Sequence, residues 1–260
     1  MAVRLSGLMR RGHANAADLQ VKRISLPFAN LPPEFDGYRL LHLSDLHVGA
    51  NPAIIGRWCE ILAETPCDLV VITGDFQCLG HPHATETARL LAPLTRALST
   101  VDGTVAILGN HDSADLPESL EQLGMRVLVN EALGIHRNGV AMRVVGTDDV
   151  HSFFTPAAPL ALISHAGDFA IALVHTPDLI EVAEAAGYAL YLCGHTHGGQ
   201  IALPNGRPLW TALDRHHHLA RGVWRHGQMV GHTSVGTGSG RPFVRFNTRP
   251  EATLIQLTRE

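Results

Sequence analysis

Short apolar runs recur along the chain at residues 39–43, 69–73, 104–108, 140–145, 170–174 and 190–193, and each predicts a strand. Helical signals lie between them. Asn51 followed by Pro52 predicts a helix start, and Ile54, Ile55, Trp58, Ile61 and Leu62 then recur on one face. Thr176 with Pro177 repeats that device, with Gly187 placed to end the helix as a left-handed cap. Residues 85–98 are leucine-rich at helical spacing but contain Pro93, which predicts a kink or a break. Strand, helix, strand alternation implies parallel pairing with right-handed crossovers and helices covering the sheet. The last part of the chain differs: runs at 200–203, 222–225, 229–234 and 253–257 are short and separated by Gly, Pro and Asn, which suits antiparallel strands. No internal repeat or long linker divides the chain. Residues 1–36 therefore read as a flexible leader and first strand region, and 37–260 as a single domain of class α/β.

Composition narrows the function classes. With 260 residues, 45% hydrophobic and 17% charged, the chain can bury a sizeable core and has no signature of disorder. A net charge of -4 supplies no global basic field, so nucleic acid is not the expected partner. Cys59, Cys67, Cys78 and Cys193 lack a C-x-x-C spacing and read as buried reduced thiols of a cytosolic protein. Arg10 and Arg11 are followed by polar residues, not by the apolar segment of an export signal. No window approaches the ~20 apolar residues of a spanning helix. The expected location is cytoplasmic, with at most peripheral contact at the inner membrane.

The stretch YLCGHTHGGQ, residues 191–200, places two histidines two positions apart after an apolar run. With 17 histidines in the chain, about one such pair arises by chance, so the pair needs company. It has company. The predicted strands end in Ser44-Asp45-Leu46-His47, Gly74-Asp75, Gly109-Asn110-His111-Asp112, His175 and Gly194-His195-Thr196-His197. In open α/β sheets the carboxyl edge of the strands is where ligands bind, so five deliveries of Asp, His and Asn to one rim predict a site. Residues two apart on extended chain project to one side, which lets Asp45 and His47, and His195 and His197, each converge on a point. The set mixes carboxylate, imidazole and an amide carbonyl without thiolates, which suits Zn, Mn or Fe. Seven such donors exceed one ion. Two divalent ions sharing a bridging carboxylate account for them and would orient a hydroxide between them.

In this order, D-x-H, GD, GNHD, a lone His before a proline-started helix and GHTH resemble the signature of the calcineurin-like metallophosphoesterase superfamily, from about Arg39 to the C-terminus. The extended GHTHGGQI with Leu203-Pro204, the segment 146–149 and RFNTRPE (245–251) resemble a bacterial branch of small phosphodiesterases, related to enzymes that cleave UDP-2,3-diacylglucosamine. The resemblance implies a four-layer α/β/β/α sandwich of two mixed sheets. It implies Asp45, His47 and His197 on one metal ion, Asn110, His175 and His195 on the other, and Asp75 bridging. His111 would stand beside the phosphate oxygens as an acid or electrostatic stabiliser. The implied activity is hydrolysis of a phosphodiester or pyrophosphate in a small-molecule or lipid-linked substrate. The alternatives are a non-catalytic metal-binding scaffold, or a phosphatase or nuclease of the same fold.

The pattern departs from the family at Cys78, where GDxxD would place a second Asp that supports the catalytic histidine. Either Asp112 or another acid takes that role, or His111 works with a lowered pKa. The segment GTGSGRP, 236–242, reads equally as an anion-binding turn and as a tight turn before the last strand. His216, His217 and His218 read as a polar loop in preference to a third metal site, with contact to substrate phosphate open if the loop overhangs the cleft. Asp148 and Asp149 read as a turn or supporting pair, and Trp58 as core. Trp210 and Trp224 flank the histidine run as candidates for an apolar lip.

Overall fold

The computed structural model describes residues 2–78 and 83–260, with side chains from residue 7 onward. In chain order the elements are α1 (Ala2–Ala16), β1 (Gln20–Phe28), β2 (Arg39–Leu43), α2 (Ile55–Ala63), β3 (Leu69–Thr73), α3 (Ala84–Ala97), β4 (Thr104–Ile107), α4 (Leu116–Glu121) and β5 (Met125–Val127). They continue with β6 (Glu131–Arg137), β7 (Val140–Gly146), α5 (Ala157–His165), β8 (Ala170–Leu173), α6 (Ile180–Ala185), β9 (Leu190–Cys193), β10 (Gly222–His226), β11 (Met229–Thr233) and β12 (Glu251–Arg259). One sheet has the order β1-β12-β2-β3-β4-β5 and the other β10-β11-β9-β8-β7-β6. Strands β2 to β5 pair in parallel, as do β7, β8, β9 and β11; β12 runs antiparallel to β2, and β6 and β10 are antiparallel edges.

The unbroken apolar runs follow from burial on both faces. Leu40 and Val71 point into the core between the sheets, where they meet Val144, Leu173 and Leu192. Their neighbours Leu41, Val70 and Ile72 point outward against Trp58, Leu91 and Leu120 of α2, α3 and α4. The second sheet is covered on its outer face in the same way, with Leu162 and Ile180 of α5 and α6 over Val145, Ala172 and Tyr191. The result is a four-layer sandwich of two mixed sheets.

Several local expectations are corrected. The leader is helical: α1 docks on the loop before β12, with Arg245 N–H donating to Gly12 O at 3.0 Å and Asn15 Nδ2 donating to Arg245 O at 2.8 Å. Helix α3 runs through Pro93 without a break, the proline forgoing only the one N–H bond back to Arg89. Asn51 and Thr176 do precede proline-started turns, but neither side chain caps its turn, and both begin as 3-10. Residues 200–203 form isolated bridges to Phe246 and Pro208 in place of a strand. The final strands are mixed, because β11 pairs in parallel with β9 and β12 in parallel with β1. Strands β5 and β6 lay outside the strong apolar runs. Three of the four free cysteines are buried, and Cys59 is half-buried.

Candidate metal centre

The loops leaving β2, β3, β4, β8 and β9 meet at one rim of the two sheets. There Asp45, His47 and His197 bring one donor atom each within 4.8 Å of one another, and Asp75, His175 and His195 do the same. Asn110 stands with the second group, its Oδ1 lying 3.2 Å from His175 Nε2 and 2.9 Å from His195 Nδ1. Asp75 reaches both groups: its Oδ2 lies 3.4 Å from His175 Nε2 and 3.8 Å from His47 Nε2. His47 Nε2 and His197 Nε2 face each other at 3.1 Å.

The backbone is strained to achieve this. Asp45, His47, Asp75, His195 and His197 all have φ between 43° and 67°, the left-handed region that costs a residue with a Cβ about 1 kcal/mol or more. The ring orientations are held from behind. His47 Nδ1 meets Gln77 O at 2.6 Å, His175 Nδ1 meets Thr73 O at 2.7 Å and His195 Nε2 meets Ala212 O at 3.3 Å. Each carbonyl takes one ring N–H, which turns the other ring nitrogen toward the cluster. Gly194 is required by close approach, because a Cβ there would collide with Ser44 Oγ and Asp45.

Electrostatics say what the cluster accepts. Burial raises the Asp45 carboxyl above its usual range. Burial pushes Asp75 the same way, but His175, His47 and His111 outweigh it and hold this carboxyl far below its usual range. On His175, burial is overridden by Asp75 and Asp45, so its pKa rises to about 10. Burial holds His195 down to about 4 and keeps His197 neutral, the latter with help from His47 and Arg245. Buried carboxylates and inward lone pairs thus converge in a pocket that favours positive charge, and divalent cations fit that donor set.

Other expected residues fall differently. His111 lines the same cavity, with Nε2 3.9 Å from Asp75 Oδ2 and with Nδ1 buried and without a partner. Asp112 does not support it: Asp112 accepts backbone N–H groups of Asp75, Gln77 and Gly109, each at 2.9 Å. Burial lowers His111's pKa, in line with the second alternative posed by Cys78. The 236–242 segment packs as a turn, since the N–H groups of Thr237 and Gly238 are spent on Ser44 O and Asp45 O. His216 and His217 bond Glu181 and Thr211, and the 216–218 run neither lines the cavity nor joins a metal-competent group among the described residues. Asp149 and Asp148 tie the loop after β7, accepting from Ser152 N–H and from Asn130 Nδ2. Trp58 is core, and so is Trp224, which donates to Thr233 Oγ1 at 2.8 Å and cannot form a lip. Trp210 is 76% exposed at the cavity mouth.

Of three further residues at the site, His151 and Ser152 carried no legible signal, and Arg245 was marked only as the start of the RFNTRPE segment, without a role. His151 stacks on His195 at 5.1 Å between ring centroids, and Ser152 beside it donates to Asn110 O. Arg245 is fully buried and donates to the carbonyls of His197, Val235, Gly236 and Gly238; burial lowers its pKa to about 10. An arginine in an irregular segment reads as surface, and only the folded carbonyl cluster explains it.

The family model for calcineurin-like phosphoesterases matches residues 38–199, which contain all seven of these donor residues. The chain belongs to that family. A calcineurin-like phosphoesterase is a phosphoester hydrolase, and relatives within the family support that assignment. The chain is 29% identical over 231 residues to phosphodiesterase YaeI of Escherichia coli, spanning 85% of this chain and 82% of that protein. It is 27% identical over 256 residues to the uncharacterized metallophosphoesterase YkoQ of Bacillus subtilis, spanning 95% and 93%. Among solved structures, TT1561 of Thermus thermophilus superposes with a TM-score of 0.50 at 12% identity, over 78% of this chain and 89% of that one, a likeness of fold alone. Among the described residues no helix is long and apolar enough to cross a membrane.

Proposed function

We propose that this phosphoesterase is a dinuclear-metal phosphodiesterase or pyrophosphatase acting on a small-molecule or lipid-linked substrate, such as a nucleotide-linked lipid. The observation that carries this reading is the position of Asp75, whose one carboxylate oxygen faces His175 at 3.4 Å and His47 at 3.8 Å, between two groups of buried donors. Asp45, His47 and His197 would hold one ion, Asn110, His175 and His195 the other, and Asp75 both. The mixed nitrogen and oxygen set accepts Mn, Zn or Fe. Two divalent cations held there polarise phosphoryl oxygens and lower the pKa of water, supplying electrophile and nucleophile together.

The chain's own groups do the rest. The His111 N–H fixes Asp75 Oδ1 at 2.9 Å, so the bridging carboxylate cannot rotate away. The His111 ring, about one-third exposed on the cavity wall, is placed to hold a proton for the leaving oxygen or a hydrogen bond for the phosphoryl group. The diester preference draws on the similarity to a relative named a phosphodiesterase. Metal analysis of the purified chain, with turnover of bis-p-nitrophenyl phosphate compared with the monoester, tests it. About two ions per chain and preference for the diester are expected. No bound metal and turnover of neither ester would leave a scaffold.

A further inference from the structure

The cavity that contains the donor cluster has a second, chemically opposite wall. Its volume is about 470 Å³; the floor carries His47, Asp75, His195 and His197, while Ile201, Leu209, Trp210 and Pro242 line another side. Leu209 is 63% and Trp210 76% exposed, a large apolar area to leave in water beside a charged centre. The wall is fastened to the donor loop. Leu209 N–H donates to Ile201 O at 3.1 Å, and Ala212 O meets His195 Nε2 at 3.3 Å. Gly199, at φ 78°, makes room for it: a Cβ there would strike Pro208 and approach Trp210 O. Gly199 thus lets an apolar strip lie directly on the loop that carries two donors. Arg241 lines the same cavity, its guanidinium 6.0 Å from the Phe243 ring centroid, and can offer charge to a phosphoryl group there.

We propose that this wall binds an ester arm of the substrate, so that the enzyme selects phosphoesters with an apolar arm over those with a small or polar one. The inference rests on the hydrolase reading, because the donor cluster is what places phosphorus within reach of the wall. Leu209 and Trp210 line the same cavity as His47, Asp75 and His195, so an arm of a phosphoryl held at those donors has this wall within reach. An apolar arm gains by covering them, and a polar arm would lose hydration there. The wall recognises apolar surface as such, whether an acyl chain or an aromatic ring supplies it.

The test is inhibition of bis-p-nitrophenyl phosphate turnover by methyl-, butyl-, hexyl-, octyl- and phenylphosphonate, on wild type and on the double variant Leu209→Ser, Trp210→Ser. Both positions are exposed, so the variant is expected to fold. Ki should fall with chain length by up to about fourfold per methylene that the wall covers, and the variant should flatten that dependence. A hexyl inhibitor stronger than phenyl identifies an aliphatic arm, and the reverse an aromatic one; either supports the inference. A chain-length series that is flat, or unchanged in the variant, overturns the inference while turnover keeps the hydrolase reading. So does loss of binding to phosphatidylcholine vesicles in the variant with an unchanged series, which would assign the wall to a membrane surface. Absence of both turnover and metal overturns the hydrolase reading instead.

Discussion

Asp112 holds Asp75 by the main chain: its Oδ2 accepts the Asp75 N–H and the Gly109 N–H, both at 2.9 Å, while its Oδ1 takes the Gln77 N–H. One carboxylate thus joins the loop after β3 to the loop after β4. Asp112→Asn turns one acceptor into a donor facing a buried N–H. The expected loss is about 1–3 kcal/mol of stability by urea unfolding, with a fall in kcat that exceeds the change in KM, because the donors are misplaced and not removed. Unchanged kcat with reduced stability would mean the tie is only structural.

Asp75 Oδ2 faces His175 of one donor group and His47 of the other, so its replacement should affect both at once. Asp75→Asn is expected to lower metal content from about two ions per chain to one or none, and kcat by about three orders of magnitude or more. Inductively coupled plasma analysis on the folded variant reads the first quantity independently of activity. Retention of two ions would remove the bridging role.

His111 should set the descending, high-pH limb of the activity profile. Burial lowers its pKa below the ordinary 6.5, with His47 and His175 adding to the effect against Asp75. A proton donor of this kind is active while protonated, so kcat should fall as pH rises through that lowered value. Cys78→Asp puts a carboxylate in the same cavity and should move the limb to higher pH. A limb that moves with neither Cys78→Asp nor His111→Gln belongs to another group.

Away from the rim, His42 Nδ1 meets His232 Nδ1 at 3.0 Å between the two sheets. Burial holds His232 down to about 4, and burial with His232 nearby depresses His42 further. The unfolded chain therefore takes up protons first as pH falls. Stability is full above the ordinary histidine value of 6.5 and is lost as pH drops towards about 4. His232 alone accounts for up to about 3 kcal/mol of that loss. Urea midpoints for metal-chelated wild type and His232→Gln, at about pH 7.5 and about pH 5, should show a smaller acid loss in the variant.

Much of this was legible because strands buried on both faces leave unbroken apolar runs, and each run's end marks a loop at one rim. The ends of the runs at 39–43 and 190–193 mark the loops that carry Asp45, His47, His195 and His197. Edge strand β6, with only Ile135 buried, left no such mark. Trp210 and Trp224 looked alike in sequence and differ because Trp224 packs over Gly231 on the neighbouring strand while Trp210 stays 76% exposed. The role of Arg245 was illegible for a different reason. Its ligands are main-chain carbonyls from a loop whose path no side-chain pattern encodes.

The donors arrive from both sheets: Asp45, Asp75 and Asn110 follow strands of one, and His175 and His195 follow strands of the other. A nascent chain that has emerged only through β5 owns half a socket and has little reason to capture an ion. On the proposed dinuclear reading, metal loading has to wait until both sheets have formed, and withdrawing the metal should loosen the seam between them before it disturbs either half.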